Sequence, residues 1–342
     1  MVRISIASLI YKSIKMADWI HESIHEFTPM IRSGEAEFFF VANDPTEKLL
    51  LHLKNKNYNF IEQNNEILSE EELFKLGYAW PEYIHRVYKG YNSAILHSKG
   101  EIIVLVNSDH YFSPDWLENL LKYYDTQKIV CSQLVEPINP KFGIFPYAIH
   151  GEFGNSTENF SKDGFLDFAM RIKKTGIYLG GAYMPCMFSR DLGIYTGLYP
   201  EGNIAGESFD KIHKTGDEAF FERLSAKDIL HITALDSLVY HLKEGEKDTE
   251  EDLQTMKNDG ESNSNKKFHS KNSSLLPSIN TKNYIISIIP TLEHSEIIAK
   301  LLNNGLKLRK YNFRVRIYNL LRKIYVLRLA KRLVTKVINK LR

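Results

Sequence analysis

Cysteine is scarce in this sequence, with only Cys131 and Cys186 among 342 residues. Two cysteines so far apart are too few for a disulfide scaffold. Without a CxxC pair or a Cys/His cluster they do not indicate a zinc site either. Each lies in an apolar run, so we expect buried, reduced thiols, which suit a cytosolic protein.

Long apolar runs are also missing. No window approaches the roughly 18 uninterrupted apolar residues that a transmembrane helix needs. The first residues lead into a short strand-like run and do not resemble the apolar region of a signal peptide. The sequence therefore predicts a chain that does not span a membrane.

What the sequence does contain is an alternation of strand and helix patterns in its first third. Apolar runs at residues 4–10, 37–42, 58–61 and 102–106 predict strands, and the segments 16–27 and 81–97 have helical spacing. Continuous apolar strands separated by helices indicate a mostly parallel sheet covered on both faces. Asp44 before Pro45 and Ser113 before Pro114 are the predicted caps of two further helices.

Composition divides the chain into three parts. Residues 1–243 predict one α/β domain, 244–282 are polar and charged and predict a flexible linker, and 283–342 form a basic region of helical periodicity. From Lys307 to Arg342 there is no Asp or Glu.

The basic region has one apolar helical face, which includes Phe313, Ile317, Leu320 and Ile324. A basic amphipathic helix suits an anionic membrane surface, where each cation contributes on the order of 1 kcal/mol. Packing on the first domain or on a partner is one alternative, and contact with nucleic-acid phosphates is another. We favour the membrane surface and expect no nucleic-acid partner, because the region lacks a set of aromatic residues for base stacking.

In a sheet of this type ligands bind beyond the carboxyl ends of the strands. This rule selects Tyr11, Asp44 and the run 107–110. Mg²⁺ and Mn²⁺ prefer oxygen-rich sites that leave positions open for phosphate, and Asp109 directly follows the most apolar strand. The alternative is that Asp109 is an ordinary loop aspartate that caps the next helix.

A second acidic site is predicted where Asp217 and Glu218 begin a helix. A carboxylate beside an acceptor hydroxyl can act as a general base, and partial burial would raise its pKa toward a useful value. The helix N-terminus opposes that shift. The alternative is an ordinary acidic first turn.

The run from Gly90 through Ser98 to Asp109 resembles the amino-terminal half of the family 2 glycosyltransferases, which have the GT-A fold, and the resemblance covers residues 1–245. It implies a nucleotide-sugar donor and a divalent cation, Mn²⁺ or Mg²⁺. Asp44 would contact the base and Tyr11 would line its pocket. The resemblance assigns the remaining donor-binding positions to Asn92, Asn107, Ser108 and Asp109.

The same resemblance assigns later residues. Asp217 takes the place of the catalytic base, with Glu218 as the fallback, and His241 would complete the metal site with Asp109. Gly180, Gly181 and Glu201 would lie where acceptor and donor sugar meet, although ordinary loop glycines are an equal alternative. His231, on the segment before His241, is a competing histidine. The sequence departs from the family pattern at Asn107, which replaces the first Asp of the DxD motif.

Together these features predict an inverting transferase of the hexosyltransferase type. It would act on a glycan or lipid-linked acceptor in polysaccharide biosynthesis, as a peripheral protein on the cytoplasmic face of the membrane. A nucleotidyltransferase is a rival, but the loop 11–16 lacks the glycine that such enzymes carry there. A non-catalytic nucleotide- or carbohydrate-binding protein of the same fold is the second rival, and Asn107 is the feature that favours it.

Overall fold

A computed structural model describes residues 2–79, 82–138, 145 and 147–243. The strands within these residues, in chain order, are β1 Ile4–Ile10, β2 Ala36–Asn43, β3 Phe60–Gln63, β4 Tyr78–Ala79, β5 Ile102–Val106, β6 His110–Phe112, β7 Lys128–Glu136, β8 Ile149–His150, β9 Ile177–Leu179, β10 Cys186–Ser189, β11 Asn203–Ala205, β12 Ile212–Lys214 and β13 Leu230–His241.

The helices connect and cover these strands. They are α1 Ile14–Phe27, α2 Pro29–Arg32, α3 Glu47–Asn55, α4 Glu70–Lys75, α5 Glu82–His97, α6 Trp116–Tyr123, α7 Lys162–Ile172, α8 Arg190–Tyr195 and α9 Gly216–Ser225. The predicted α/β class and the predicted strands of the first third are therefore confirmed. Helices α7 and α8 were not predicted, because their segment has few periodic apolar runs.

Most strands belong to one large sheet with the order β3-β2-β1-β5-β10-β7-β13-β6. Strands β3, β2, β1 and β5 run parallel to one another, as do β7 and β13. Strand β10 is inserted antiparallel between β5 and β7, and β6 closes the edge antiparallel to β13. Strands β4, β11 and β12 form a separate three-stranded sheet.

The two faces of the large sheet bury different helices. Ala7, Val41 and Leu105 belong to a core cluster with residues of α5 and α9, which therefore cover one face. Side chains alternate along a strand, so the buried Ile6 and Phe40 point to the other face. There Phe40 stacks near His21 of α1. The sheet is thus covered on both faces, as its continuous apolar strands predict.

Edge strand β6 has a backbone group that the sheet does not pair. The amide of Phe112 instead donates to the hydroxyl of Ser23 on α1 at 2.8 Å. Ser23 is fully buried. Because an unpaired buried amide is costly, this contact helps to fix α1 against the strand that follows Asp109.

Both predicted helix caps were wrong. Asp44 has a left-handed backbone (φ 51°), whereas an N-cap residue is extended. Thr46 is the cap instead, and its hydroxyl accepts from the amide of Leu49. Ser113 still pairs with β13 through a 3.2 Å hydrogen bond from its amide to the carbonyl of Leu238, so α6 begins only at Trp116.

Two further predictions concern composition. Cys131 and Cys186 are free and buried, as expected. Among the described residues no helix combines the length and apolarity required to cross a bilayer. The predicted linker 244–282 and basic region 283–342 lie outside the described residues.

We predict that Ser23→Ala lowers the free energy of unfolding by about 1–3 kcal/mol, because it leaves the Phe112 amide buried and unpaired. Urea denaturation of the two proteins measures the difference. Ser33→Ala is the matched control, since Ser33 is exposed and its hydroxyl bonds only the Met30 carbonyl. A change below about 0.5 kcal/mol is expected there. Equal losses in both variants would contradict the assigned role of Ser23.

Candidate active site

The predicted ligand-binding residues follow strands that are neighbours in the sheet. Strand β1 pairs in parallel with β2 and with β5, so the carboxyl ends of all three lie at one edge. Tyr11, Asp44 and Asn107 each come directly after one of these strands. The topology therefore places the predicted base-binding and metal-binding segments at the same edge of the sheet.

Asp44 has polar neighbours after β2. Its two carboxylate oxygens accept from the amide of Asn65 at 2.7 Å and from the Asn65 side chain at 2.9 Å. Arg86 on α5 lies 3.5 Å from the same carboxylate. Each oxygen keeps a further lone pair, and the Asp44 side chain is 20% exposed, so it can still accept a bond from a ligand.

Tyr11 lies near Arg86 as well. The guanidinium of Arg86 lies 5.6 Å from its ring centroid, and the Lys12 ammonium lies 4.7 Å from it. Arg86 therefore contacts both predicted base-binding residues. A planar cation between a carboxylate and an aromatic ring suits a flat, polar ligand such as a nucleobase.

Residues Asn107, Ser108 and Asp109 form the turn between β5 and β6. The Asn107 side-chain oxygen accepts from the Tyr91 hydroxyl at 2.8 Å, and the Asn107 amide donates to His110 Nδ1 at 3.2 Å. Ser108 is partly buried between them. The side chain of Asn107 is thus held by α5, and its backbone amide by His110 of the next strand.

Pairing of β13 with β6 brings His241 to Asp109. His241 lies opposite His110 in the ladder, and the Leu242 amide donates to the Asp109 carbonyl at 3.0 Å. His241 Nε2 is then 3.2 Å from Asp109 Oδ2. Two residues predicted to share a metal, 132 positions apart in sequence (241 minus 109), are in direct contact.

A second carboxylate lies behind His241. Glu136, the last residue of β7, accepts from His241 Nδ1 at 3.0 Å. Burial alone would lower the pKa of His241, but the two carboxylates Asp109 and Glu136 raise it to about 9. Burial likewise acts to raise the pKa of Asp109, and the contact with His241 overcomes this and lowers it.

His110 is the third member of the cluster. Ligand atoms of Asp109, His110 and His241 lie within 4.8 Å of one another, and this is the only such group of metal-binding residue types among the described residues. Burial lowers the pKa of His110 to about 3, so its ring is neutral. Because Nδ1 accepts from the Asn107 amide, the ring proton is assigned to Nε2, which is buried without a partner.

This donor set fits a divalent cation bound by two residues. Asp109 offers a carboxylate oxygen, and His241 offers Nε2 once its proton is displaced. His110 offers an N–H, which suits a phosphate oxygen better than a metal. A site with two protein ligands leaves positions open for a diphosphate.

Asp217 lies in the first turn of α9, on the face of the sheet that α5 covers. Burial raises the pKa of its carboxyl to about 6, although a hydrogen bond from Tyr88 acts to lower it. Neither of these two effects on the pKa of Asp217 comes from a cation, whereas the pKa of Asp109 is lowered by His241. A carboxylate with a pKa near neutrality is suited to accept a proton at physiological pH.

Tyr88 of α5 holds Asp217 in place. Its hydroxyl lies 3.2 Å from Asp217 Oδ2, 3.1 Å from the Asp217 amide and 3.4 Å from the Asn203 side chain. Asn203 in turn accepts from the Gly216 amide at 3.0 Å. A Cβ on Gly216 would come within 2.4 Å of the Tyr88 ring, so only glycine fits there. The start of α9 is therefore built against α5.

Glu218 follows Asp217 and is also partly buried. Its amide donates to the Thr215 hydroxyl, which caps α9. Burial, then the charges of Glu218 and Asp217, raise the pKa of Tyr183. The loop that contains Gly180 and Gly181 therefore approaches the two acids.

The glycines of that loop have structural contacts. Gly181 has φ 124°, and a Cβ there would lie 2.0 Å from the Thr233 hydroxyl. The Gly180 carbonyl accepts from the same hydroxyl at 2.6 Å. Close packing on β13 thus accounts for Gly181 without a ligand, while contact with a sugar stays a prediction.

Asn92 contacts the loop that leads to Glu201. The side chain of Asn92 accepts from the backbone amide of Tyr199 at 2.8 Å and donates to the backbone carbonyl of Tyr199 at 2.9 Å. Asn92 is buried, so its side chain positions the loop that precedes Glu201. The Glu201 backbone is bound by Tyr78 and His85, and its side chain is exposed.

Sequence reasoning missed Arg86, Tyr88, Glu136 and Lys243. Glu136 is bonded to His241 and to the Lys243 ammonium, which lies 2.8 Å from it. Only Arg86 carried a local signal, as a cation on the predicted helix before the DxD-like strand. Tyr88 and Glu136 contact residues that are remote in sequence, and Lys243 lies beyond the last predicted motif.

We predict that Tyr88→Phe raises the pKa of Asp217 further above its value of about 6, because it removes the bond that favours the ionised form. Ionised Asp217 destabilises the fold increasingly as pH rises from about 4, the unfolded-state value, to its folded pKa. The stability gained by Asp217→Asn should therefore grow over that interval. In the Tyr88→Phe background the interval should extend to higher pH.

Tyr58→Phe is the matched control, since the Tyr58 hydroxyl also bonds an aspartate, Asp18, at 2.9 Å. Tyr58→Phe should leave unchanged the pH interval over which the stability gained by Asp217→Asn grows. Chemical denaturation between pH 4 and pH 9 measures each pair of proteins. An identical interval in wild type and Tyr88→Phe would show that the hydroxyl does not act on Asp217.

The sequence matches one protein family. Residues 82–184 match the model of glycosyl transferase family 2. This segment begins with α5 and includes Asn92, Asn107 and Asp109, but it ends before Asp217 and His241. No curated protein matches the chain.

Several solved structures are similar in fold. One is GalNAc-T7 with UDP, GalNAc and Mn²⁺, at 14% identity and TM-score 0.43 over 70% of this chain and 44% of that one. Another is the mannosyltransferase PcManGT from Pyrobaculum calidifontis with GDP-Man and Mn²⁺, at 14% identity and TM-score 0.41 over 71% and 58%. A third is S. aureus TarS 1-349, at 11% identity and TM-score 0.42 over 70% and 60%.

The chain thus spans about half the length of these structures, from 44% to 60%. At these identities and TM-scores the likeness supports no conclusion about this chain. The likeness to the family lies in the matched segment, which contains α5 and the turn with Asp109. Residues 82–184 are therefore similar to glycosyl transferase family 2, and that match does not extend to the rest of the chain.

Proposed function

We propose that this protein transfers a sugar from a nucleotide-diphosphate sugar to an acceptor hydroxyl, with inversion and with the help of a divalent cation. One observation carries the proposal. The Asp109–His241 pair suits a cation, and Asp217 suits a general base. Tyr88, which bonds Asp217, and Tyr91, which bonds Asn107, are one turn apart on α5, which supports a site shared by the two acids.

The donor would occupy the edge formed by the ends of β1, β2 and β5. Asp44, Arg86 and Tyr11 would contact the base, and Asn107 and Ser108 would face the ribose and diphosphate. Asp109 and His241 would hold Mn²⁺ or Mg²⁺, which neutralises the charge that develops on the leaving nucleoside diphosphate. His110 Nε2–H, which is buried without a partner, would donate to a phosphate oxygen.

Asp217 would act on the acceptor. Its carboxylate takes the hydroxyl proton while the hydroxyl oxygen bonds to the anomeric carbon. The bond from that carbon to the phosphate oxygen breaks, and the nucleoside diphosphate leaves with the electron pair. A single displacement of this kind inverts the configuration at the anomeric carbon. Glu218 is the second candidate for the base, and Tyr88 keeps Asp217 oriented.

The test is a thermal-shift panel of UDP, GDP, CDP and dTDP with and without Mn²⁺. Ligand at about 100 times its dissociation constant adds roughly 2.7 kcal/mol of stability. We expect one nucleotide to stabilise the wild type only with Mn²⁺, and Asp109→Ala to abolish the shift. Asp167→Ala, which removes an exposed aspartate on α7, should keep it. No shift for any nucleotide would contradict the proposal.

Asp217→Asn separates transfer from binding. It should keep the nucleotide and Mn²⁺ shift, because Asp217 lies outside the Asp109–His241 cluster. Release of nucleoside diphosphate from the donor that the panel selects, with candidate glycan and lipid-linked acceptors, should fall by at least about 100-fold. Unchanged release in the variant would exclude Asp217 as the base.

A non-catalytic binding protein of the same fold is the second candidate, and Asn107 is the observation that favours it. Asparagine replaces a negative charge next to the cation site. This candidate predicts nucleotide binding in the panel without release of nucleoside diphosphate by the wild type. The raised pKa of Asp217 favours the transferase, because a protein that only binds a donor does not need a general base.

We further propose that the basic region of residues 283–342 holds the protein on the cytoplasmic face of a membrane, where a lipid-linked or surface glycan would be the acceptor. The support is sequence pattern alone: cations without acidic residues from Lys307 to Arg342, and one apolar helical face.

The triple variant Lys331→Glu, Arg332→Glu and Lys336→Glu tests this placement. Each lost cation removes about 1 kcal/mol of attraction to an anionic surface, so partition to phosphatidylserine vesicles should fall by about 100-fold or more. Vesicle flotation of the full chain measures it, with phosphatidylcholine vesicles as the control. Equal flotation of wild type and variant would contradict an electrostatic attachment.

A further inference from the structure

We propose that Glu136 is a positioning residue that fixes His241 for the binding of the divalent cation. The inference rests on the proposed cation site of Asp109 and His241. It assigns to Glu136 no contact with the cation or with the donor. Its role is to determine which nitrogen of His241 faces the site, and how strongly that nitrogen binds.

Strand pairing brings Glu136 to His241. Strands β7 and β13 are parallel neighbours, and Val135 of β7 is in register with Tyr240 of β13. Glu136 and His241 are the next residues on each strand, and each is the last residue of its strand. The Glu136–His241 contact therefore depends on the register of two buried strands and is held rigidly.

Both oxygens of Glu136 are occupied. Oε2 accepts from His241 Nδ1 at 3.0 Å, and Oε1 lies 2.8 Å from the Lys243 ammonium. Oε1 also accepts from the Phe145 amide. The Glu136 side chain is fully buried, whereas the His241 and Lys243 side chains each keep 11% exposure. A buried carboxylate in this position is stable because it lies between two cationic partners.

The hydrogen bond to Glu136 determines the tautomer of His241. With the Nδ1 proton directed at Glu136, Nε2 is the nitrogen that faces Asp109 at 3.2 Å. A neutral imidazole in this tautomer presents the Nε2 lone pair to a cation. A carboxylate behind a metal-binding histidine also makes the imidazole a stronger ligand, and its loss weakens metal affinity by about 10–100-fold.

The geometry separates Glu136 from the ligands themselves. The cluster whose donor atoms lie within 4.8 Å of one another comprises Asp109, His110 and His241, and within the described part of the chain it does not extend to Glu136. Glu136 lies on the far side of the imidazole and has its second oxygen on Lys243. It therefore acts through His241.

The alternative role for Glu136 is purely structural, as the partner of Lys243 in a buried ion pair. The two roles differ in what removal of Lys243 does. If Glu136 positions His241, loss of the Lys243 ammonium leaves the Nδ1 bond in place and metal affinity nearly unchanged. If Glu136 matters only through the ion pair, loss of the Glu136 carboxylate and loss of the Lys243 ammonium should weaken metal binding equally.

The experiment measures the dissociation constant of Mn²⁺ directly, by electron paramagnetic resonance of the free ion, on the full chain without donor. We expect Glu136→Gln to weaken Mn²⁺ binding by about 10–100-fold, because the amide no longer carries the charge that strengthens the imidazole. Lys243→Met should weaken Mn²⁺ binding much less than Glu136→Gln does, because the bond from His241 Nδ1 to Glu136 stays in place.

Glu152→Gln is the matched control. Glu152 also accepts from a histidine, His150 Nε2 at 2.8 Å, but the pair is exposed and belongs to no metal cluster of the described residues. It should not change Mn²⁺ affinity. If Glu136→Gln does not fold, Glu136→Asp replaces it, since the shorter carboxylate withdraws from Nδ1 and should weaken Mn²⁺ binding measurably.

Each result decides the matter. Mn²⁺ affinity in the folded Glu136 variant equal to wild type overturns the inference and leaves the cation site standing. An equal loss in Lys243→Met and Glu136→Gln overturns it in favour of the ion-pair role. Absence of Mn²⁺ binding by wild type itself would remove both the cation site of the proposed function and the inference built on it.

Discussion

The candidate site depends on the fixed position of one helix, α5. Its residues reach three separate segments: Arg86 contacts Asp44 at 3.5 Å, Tyr88 contacts Asp217 at 3.2 Å, and Tyr91 contacts Asn107 at 2.8 Å. A helix advances 1.5 Å per residue, so these contacts cannot be adjusted independently. Packing of α5 on the sheet therefore sets the positions of Asp44, Asn107 and Asp217, and with them the proposed base, cation and general-base sites, together. The family match begins at residue 82, where α5 begins.

The two acids of the site differ because their surroundings differ in charge. Asp109 has His241 beside it, which keeps its pKa low, and the charge of Glu136 behind that histidine is balanced by Lys243. Asp217 is placed where burial dominates, so its pKa rises to about 6. One acid thus stays ionised and suited to a cation, while the other can exchange a proton near neutral pH. Separate acid environments of this kind suit the two roles proposed for Asp109 and Asp217.

The sequence predicted what is local or periodic. Buried strands, the helix before the DxD-like turn and the acidic start of α9 follow from apolar spacing, and their positions in the structure agree. Helix caps failed where tertiary contacts override local preference, as at Ser113, which remains paired with Leu238 of the sheet. Tyr88 and Glu136 carry no local signal, because their partners lie 129 and 105 residues away. Only strand register and helix packing bring such pairs together.

Asn107 raises the question whether the site has lost its chemistry. Its side-chain oxygen accepts from the buried Tyr91 hydroxyl, a bond that holds the turn with Asp109 against α5. An aspartate oxygen at this position could accept the same bond, so the asparagine lacks only the negative charge. That loss leaves Asp109 as the one carboxylate of the described cluster, so affinity for the cation depends more on the histidine ligand. A buried carboxylate directed at that histidine, rather than a second acid in the turn, then becomes the means of strengthening the site, which is the position that Glu136 occupies.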